Sequence, residues 1–271
     1  MRLKLCCAVV LASSVLLSGC MSPKTAPDYK VDPYEPMNRA FFNINQELHT
    51  VIRPVTQAYQ FVLPSPVRSG VHNFFVNAET VPKIINDASQ WNWHYFAHDF
   101  ARFFLNTTVG ILGIFDVASH VGLYNHPQGF GYTLAVWGLR PSPYVVLPFF
   151  GPNTMTGAVG MGVDYLFSPI TYVNYSPWWW QYPVRAVQLV DLASIALPKE
   201  ELLTQMALDP YVAVRNAYLQ NRAHNVLELR YDGDIPPAVL EAHQDRLLKV
   251  PMENLSPAMP QAYPANSPQQ K

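Results

Sequence analysis

Between Arg102 and Arg185 the chain carries only three formal charges, Asp116, Arg140 and Asp164. No other feature limits the fold as much. In an ordinary globular chain about a quarter of the residues are charged, and most of them cover the surface. A long stretch without them is either buried or faces something other than water. The 271 residues together are 14% charged and 49% hydrophobic, with 18 basic and 19 acidic side chains. This near-neutral balance excludes the basic stripe that nucleic-acid binding needs, and the apolar, aromatic composition excludes general disorder.

Three segments make up most of the charge-poor region: Val109-Gly110-Ile111-Leu112-Gly113-Ile114-Phe115, then residues 144–150, then 157–170. Each is too short, or too interrupted by Pro and Gly, to be a transmembrane helix of about 20 residues. A soluble core could absorb any one of them, but together they favour short helices lying in or dipping into a bilayer. Tyr172, Tyr175, Trp178, Trp179, Trp180 and Tyr182 follow. Such rings collect at the headgroup level because one end is apolar and the other seeks water. Trp178, Trp179 and Trp180 are therefore candidate interface aromatics, although a packed aromatic core would use the same residues.

The N-terminus points the same way. Arg2 and Lys4 precede an apolar run, Leu5 to Leu17, of signal-peptide length. The run ends in Leu17-Ser18-Gly19-Cys20, which resembles a bacterial lipobox: cleavage between Gly19 and Cys20 leaves an acylated cysteine at the new N-terminus. Residues 1–19 are expected to be the signal peptide and 20–31, polar and Pro-containing, an acylated tether. Each buried CH₂ of an acyl chain adds about 0.8 kcal/mol, so two or three chains anchor stably. The chain has three cysteines; Cys6 and Cys7 leave with the leader, so Cys20 remains alone and excludes a disulfide or a cysteine-based metal site. Met21 follows Cys20 where lipoproteins retained at the inner membrane carry Asp, which fits export to the outer membrane.

Beyond the tether, helix signals dominate and the expected fold is mainly α. Asp32-Pro33-Tyr34-Glu35 reads as N-cap, N1 and N3 of a helix. Met37, Phe41, Ile44, Leu48 and Val51 continue it at amphipathic spacing to an end before Pro54. Shorter helices are expected over 57–62, 67–76, 82–88 and 93–105, and no convincing strand alternation is found. Asp209-Pro210 opens another helix, with Val212, Ala213, Leu219, Val226 and Leu227 apolar and Arg215 and Arg222 on other faces. It is charged enough to face the periplasm and is a candidate docking surface. A last helix over 236–250 and a Pro-rich disordered tail complete the reading.

Polar residues inside apolar helices are the candidate functional positions. Asp99, Arg102 and Asn106 share one helix face, with Phe96, Phe100, Phe103 and Phe104 over much of the rest. They either staple two helices or line a wet passage beside lipid, where a charge is costly unless it faces water or a partner. Asp116 and Asp164 belong to the same lining or cap helices, and Gly110 and Gly113 permit close approach or a sharp bend. No nucleophile elbow, phosphate loop or zinc-protease motif is present. His94 and His98 are four apart and His98 precedes Asp99, but no third ligand stands at a diagnostic spacing. Neither catalysis, nor a metal, nor a cofactor is expected.

An ordered set of motifs spans residues 32 to about 232. These are Asp32-Pro33-Tyr34-Glu35, Asn38-Arg39-Ala40-Phe41-Phe42-Asn43, Arg53-Pro54-Val55 with Tyr59, and Asn73-Phe74-Phe75-Val76-Asn77. Asp99 and Arg102-Phe103-Phe104-Leu105-Asn106-Thr107-Thr108-Val109-Gly110 follow, with Gly113, Asp116 and Phe130-Gly131-Tyr132-Thr133-Leu134. Leu147-Pro148-Phe149-Phe150-Gly151-Pro152, Asp209-Pro210-Tyr211-Val212 and Arg215-Asn216-Ala217-Tyr218 close the set. In these the chain resembles the VacJ/MlaA family of outer-membrane lipoproteins. Two places depart from the family pattern. Thr154-Met155-Thr156-Gly157 lacks an Arg-Asp pair, and Gln128-Gly129 stands where a charge often precedes Phe-Gly.

The resemblance implies a ring of short amphipathic and interfacial helices embedded in the membrane around an amphipathic channel, formed here by residues 32–232, with 233–271 as C-terminal helix and tail. It implies an outer-membrane lipoprotein, anchored on the periplasmic side, that removes phospholipids astray in the outer leaflet and passes them to a soluble periplasmic carrier. A trimeric porin is the implied membrane partner, and no covalent step is required. The competing readings are a lipoprotein phospholipase and a purely structural envelope lipoprotein.

Overall fold

The computed structural model describes residues 32–139, 142–172 and 181–241. The expected leader and tether, Cys20, Arg140, Tyr175, Trp178, Trp179, Trp180 and the Pro-rich tail lie outside these residues. Ten helices and one two-stranded sheet make up the described part, so the fold is mainly α. None of the described helices is long and apolar enough to cross a membrane.

The first helix, α1, spans Glu35–Val62 and continues through Pro54, where the sequence predicts its end. A proline inside a helix costs about 3 kcal/mol in a lost hydrogen bond and a ring clash. A long antiparallel seam with α9 (Gln181–Met206) offsets it. Along that seam Gln46 donates to Glu200 at 2.8 Å, Arg53 pairs with Glu201 at 3.3 Å, Tyr59 donates to Asp191 at 3.0 Å and Gln60 donates to the Ser194 carbonyl at 3.1 Å. Two of these contacts lie beyond Pro54, so the partner helix holds the continuation in place.

Asp32 does not cap α1. Tyr34 occupies the N-cap position without a side-chain bond, and Asp32 turns inward instead. It accepts from Asn38 at 2.7 Å and from the Tyr211 hydroxyl, and lies 3.6 Å from Arg215. Three buried partners satisfy the carboxylate better than one helix-end N–H.

The sequence gives no strand signal, yet β1 (Tyr144–Leu147) and β2 (Gly151–Thr154) form an antiparallel hairpin with Tyr144 opposite Thr154 and Leu147 opposite Gly151. Its outer edge is paired by side chains of α1. Asn38 donates to the Tyr144 carbonyl at 3.1 Å and accepts from Val146 N at 2.9 Å; two turns later Asn45 donates to the Leu147 carbonyl and accepts from Phe149 N. An exposed edge with unpaired backbone groups invites mispairing, and the two asparagines close it. A small apolar core of Phe42, Tyr144, Val146, Tyr211, Val212 and Val214 joins the hairpin to α1 and to α10 (Pro210–Arg230).

The remaining elements are α2 (Ser65–Ala78), α3 (Thr80–Ser89), α4 (Trp93–Thr108), α5 (Val117–His120), α6 (Phe130–Val136), α7 (Met155–Phe167) and α8 (Pro169–Tyr172). Where α6 and α7 cross, a Cβ on Gly131 would stand 2.8 Å from the Gly157 Cα, so glycine is what allows the backbones to touch. Between α4 and α5 the chain turns through positive φ at Ile111, Leu112 and Gly113. At Gly113 a side chain would strike Asn77. The expected segment over 144–150 is therefore a hairpin rather than a helix, residues 109–115 are a turn, and only 157–170 is helical.

Burial is inverted relative to a water-soluble domain. Among the described residues 21 buried side chains are polar or charged and 12 are apolar, while Phe100, Phe104, Ile111, Leu112, Phe115, Phe149 and Leu166 are exposed. Ordinary interiors run the other way.

Candidate functional site

The buried polar groups concentrate on the facing sides of α3 and α4. Asn92 starts α4 by accepting from Tyr95 N, and from there Tyr95, Asp99, Arg102 and Asn106 recur every three to four residues on the buried face. Trp93, Phe100 and Phe104 occupy the exposed face. Asp99, Arg102 and Asn106 thus share one face, as their spacing predicts, but Asp99 and Arg102 take different partners.

Arg102 joins the turn after α4. Its Nη2 lies 2.9 Å from Asp116 Oδ2, and Nη1 donates to Ser119 Oγ at 3.0 Å and to the Leu123 carbonyl. Asn106 donates to the other Asp116 oxygen at 2.9 Å and accepts from Ala118 N. Asp116 also caps α5 through Ser119. Burial pushes the Asp116 carboxyl up, but its bonds to Ser119, Asn106 and Arg102 outweigh that and hold it below the usual carboxylate range.

Asp99 faces two imidazoles. Its Oδ1 lies 3.1 Å from His98 Nδ1 and 3.3 Å from His126 Nδ1. His126 comes from the segment between α5 and α6 and stacks on the Tyr95 ring at 4.2 Å. Lys83 on α3 fixes that segment, donating to the His126 carbonyl at 2.7 Å and to Asn125 at 2.5 Å. Burial pushes the Lys83 ammonium down. Asp87, one turn further along α3, lies 4.0 Å from His126 Nε2, and burial pushes its carboxyl up to about 6.

Asp164 lies in a second group beside this one. It accepts from Asn86 at 2.8 Å and, with both oxygens, from Phe130 N at 3.0 Å. Burial pushes its carboxyl up. Thr133 donates to Asn86, Gln90 donates to both Thr133 and Gln128, and Gln128 donates to Asp87 at 2.5 Å. The result is one hydrogen-bonded belt from Asp164 to Asp87, with His126 and Asp99 beyond it. Sequence reasoning missed Lys83, Asn86, Asp87, Gln90, Gln128, Thr133 and His126. On α3 the signal was present, because positions 83, 86, 87 and 90 form a polar stripe at helical spacing. Such a stripe ordinarily faces solvent; here it faces inward.

Both departures from the family pattern have local partners. Gln128 presents an uncharged amide to Asp87, where an acidic side chain would repel it. Thr154 caps α7 by accepting from Gly157 N, and Thr156 bonds Ser142.

Buried atoms without a hydrogen-bond partner also collect along the belt: Asp87 Oδ2, Gln90 Oε1, Asp99 Oδ2, Arg102 Nε and both His126 ring nitrogens. Native structures leave few such groups, and these lie on or beside α3 and α4 and on the segment that carries His126.

The model of the MlaA lipoprotein family matches residues 30–225. The chain belongs to the MlaA lipoprotein family. It is 32% identical over 226 residues to the intermembrane phospholipid transport system lipoprotein MlaA of Escherichia coli K12, covering 80% of this chain and 87% of that protein. The MlaA of Haemophilus influenzae is 31% identical over 220 residues, covering 78% and 86%. An uncharacterised protein of Rickettsia typhi is 34% identical over 199 residues, covering 72% and 78%. A solved structure bearing on the structural basis for maintenance of bacterial outer membrane lipid asymmetry aligns with a TM-score of 0.62 at 31% identity, covering 72% of this chain and 98% of that one. An MlaA fold accounts for a mainly α chain with no helix of membrane-crossing length among the described residues.

Proposed function

We propose that this protein is the outer-membrane component of a phospholipid transport system: anchored through acylated Cys20, it removes phospholipids from the outer leaflet and hands them to a soluble periplasmic carrier. The observation that carries the reading is the inverted burial, with polar groups inside and large apolar side chains outside. Apolar skin from α4, the following turn and α7 sits among acyl chains, and the ring of helices encloses an amphipathic channel. The belt offers headgroups a polar path in which charges face one another rather than lipid, the arrangement that makes them tolerable at membrane depth. Asp99, Arg102, Asn106, Asp116 and Asp164 contribute to that lining, and Trp178, Trp179 and Trp180 sit at the headgroup level. A trimeric porin holds the ring in the membrane. Family membership, shared with relatives named for intermembrane phospholipid transport, supports the same reading.

The protein moves lipid without covalent chemistry. A phospholipase would need a nucleophile beside a base, and among the described residues no serine or threonine hydroxyl bonds to His98 or His126. Labelling of outer-leaflet phospholipid in deletion cells tests the function. Label should rise on deletion, return to baseline with the wild-type gene and stay high with Cys20→Ala. Unchanged labelling on deletion contradicts transport, and lipid hydrolysis abolished by His98→Ala and Asp99→Asn would establish the enzyme instead.

A further inference from the structure

We propose that His98, Asp99 and His126 form a binding site for a borderline divalent cation, with Zn²⁺ the ion whose geometry they fit best. The two histidines are 28 positions apart, and the fold brings them together across one carboxylate. One donor atom from each of the three residues lies within 4.8 Å of the other two. Zn–N and Zn–O bonds of about 2.0–2.1 Å place neighbouring donors of a tetrahedron about 3.3–3.4 Å apart. The contacts of Asp99 Oδ1 with the two Nδ1 atoms, 3.1 and 3.3 Å, are at that spacing. Two imidazoles with one carboxylate suit Zn²⁺ rather than Mg²⁺ or Ca²⁺, which favour oxygen donors throughout.

A second observation points to a ligand independently of the spacing. His126 is 7% exposed; its Nδ1 lies 3.3 Å from Asp99 Oδ1 but out of line for a hydrogen bond, and its Nε2 has no hydrogen-bond partner. Asp99 is 1% exposed and its Oδ2 is likewise unpartnered. A buried imidazole normally uses its nitrogens on polar partners. His126 is instead held from elsewhere: its ring stacks on Tyr95, and its carbonyl accepts from Lys83. Both nitrogens are left to face carboxylates, Nδ1 towards Asp99 and Nε2 towards Asp87 at 4.0 Å. A histidine that binds metal through one nitrogen commonly has a carboxylate behind the other, and Asp87 stands in that place. The charge balance agrees, because Lys83 donates to Asn125 and to a carbonyl rather than to either acid. A dication offsets Asp87 and Asp99 together.

The site stands on this geometry and not on the transport reading. The test uses the full-length acylated protein in detergent micelles, stripped with a chelator and titrated with Zn²⁺ against a chromophoric competitor. The expected result is one Zn²⁺ per chain. His98→Ala and Asp99→Asn should each weaken binding at least tenfold, and Asp87→Asn by about tenfold. His94→Ala, at an exposed histidine one turn earlier, should leave it unchanged. Co²⁺ should give visible d–d absorption that His98→Ala diminishes. His98 is partly exposed, so its variant reports even where a change at buried His126 prevents folding; circular dichroism checks helicity in each. No saturable binding, equal affinity in His98→Ala and Asp99→Asn, or equal loss in His94→Ala overturns the proposal. None of these readouts depends on lipid labelling, so failure of the transport reading is separately visible.

Discussion

Among the described residues, the two ends of the chain bury an apolar cluster beside their polar groups, and the middle does not. In α1, α9 and α10 an apolar core under the hairpin is bordered by polar seams such as Gln46–Glu200 and Arg39–Asp209. Charged residues 199, 200 and 201 surround Leu202, which is 61% exposed. In α3 to α7 no such apolar cluster is present among the described residues: Asp87, Asp99 and Arg102 fill the interior, and Leu112 is 60% exposed among apolar neighbours. Two leucines of equal exposure thus sit in unlike surroundings. The difference teaches that low charge in a sequence need not mean a large apolar core; here the apolar residues are displaced outward and the few charges drawn in.

Breaking the Arg102–Asp116 pair should cost most. Arg102→Met leaves Asp116 without its guanidinium partner, and losing one side of a buried pair costs about 3–5 kcal/mol; denaturant titration in detergent should show that loss. On the other side of the molecule, Asn38→Ala strips the edge of β1 of both its bonds and leaves two backbone groups unpaired. About 2–4 kcal/mol is expected, and Asn45→Ala, which also removes two bonds from the hairpin edge, should cost a similar amount. Gly131→Ala overfills the crossing of α6 and α7 and should destabilise by about 1–3 kcal/mol, read as a fall in Tm. The mildest change is Asp209→Asn, which keeps the cap on Val212 N and removes the charge and one of the two acceptors facing Arg39. The Arg39 bond holds the Asp209 carboxyl below its usual range. Its folded pKa is depressed, so its contribution is present above about pH 4 and fades as the pH falls below that. The variant should lose about 0.5 kcal/mol or less near neutral pH and show a flatter acid limb.

How much of this was legible depended on whether a residue's partner lay nearby in sequence. Asp209 reads as a cap and is one, because its bond to Val212 N lies within the next turn; its second partner, Arg39, is 170 residues away and was not legible. Asp32 looks equally like a cap, but residues 38, 211 and 215 claim it, and none of these is visible from local pattern. The stripe of Asp99, Arg102 and Asn106 was readable from helical spacing. Its partners were not, since Asp116 and His126 come from turns whose paths depend on left-handed residues at 111 to 113. Pro54 and the hairpin were misread for one reason: α1 survives its proline, and β1 is paired along its outer edge, through contacts over 100 residues away. Sequence pattern places Arg215 and Arg222 only off the apolar face of α10. Their partners come from distant parts of the chain: Arg215 lies 3.6 Å from Asp32, and half-buried Arg222 donates to the Gly131 carbonyl.

The central claim is that the middle of the chain faces lipid while the α9 surface faces water. Nitroxide labels at Leu112→Cys and Leu202→Cys, in protein reconstituted into liposomes, test it directly; with the leader removed and Cys20 acylated as proposed, the new thiol is labelled alone. Power-saturation measurements should find the label at 112 accessible to oxygen and shielded from a water-soluble nickel chelate, with the reverse at 202. Equal nickel accessibility at the two sites would contradict the account.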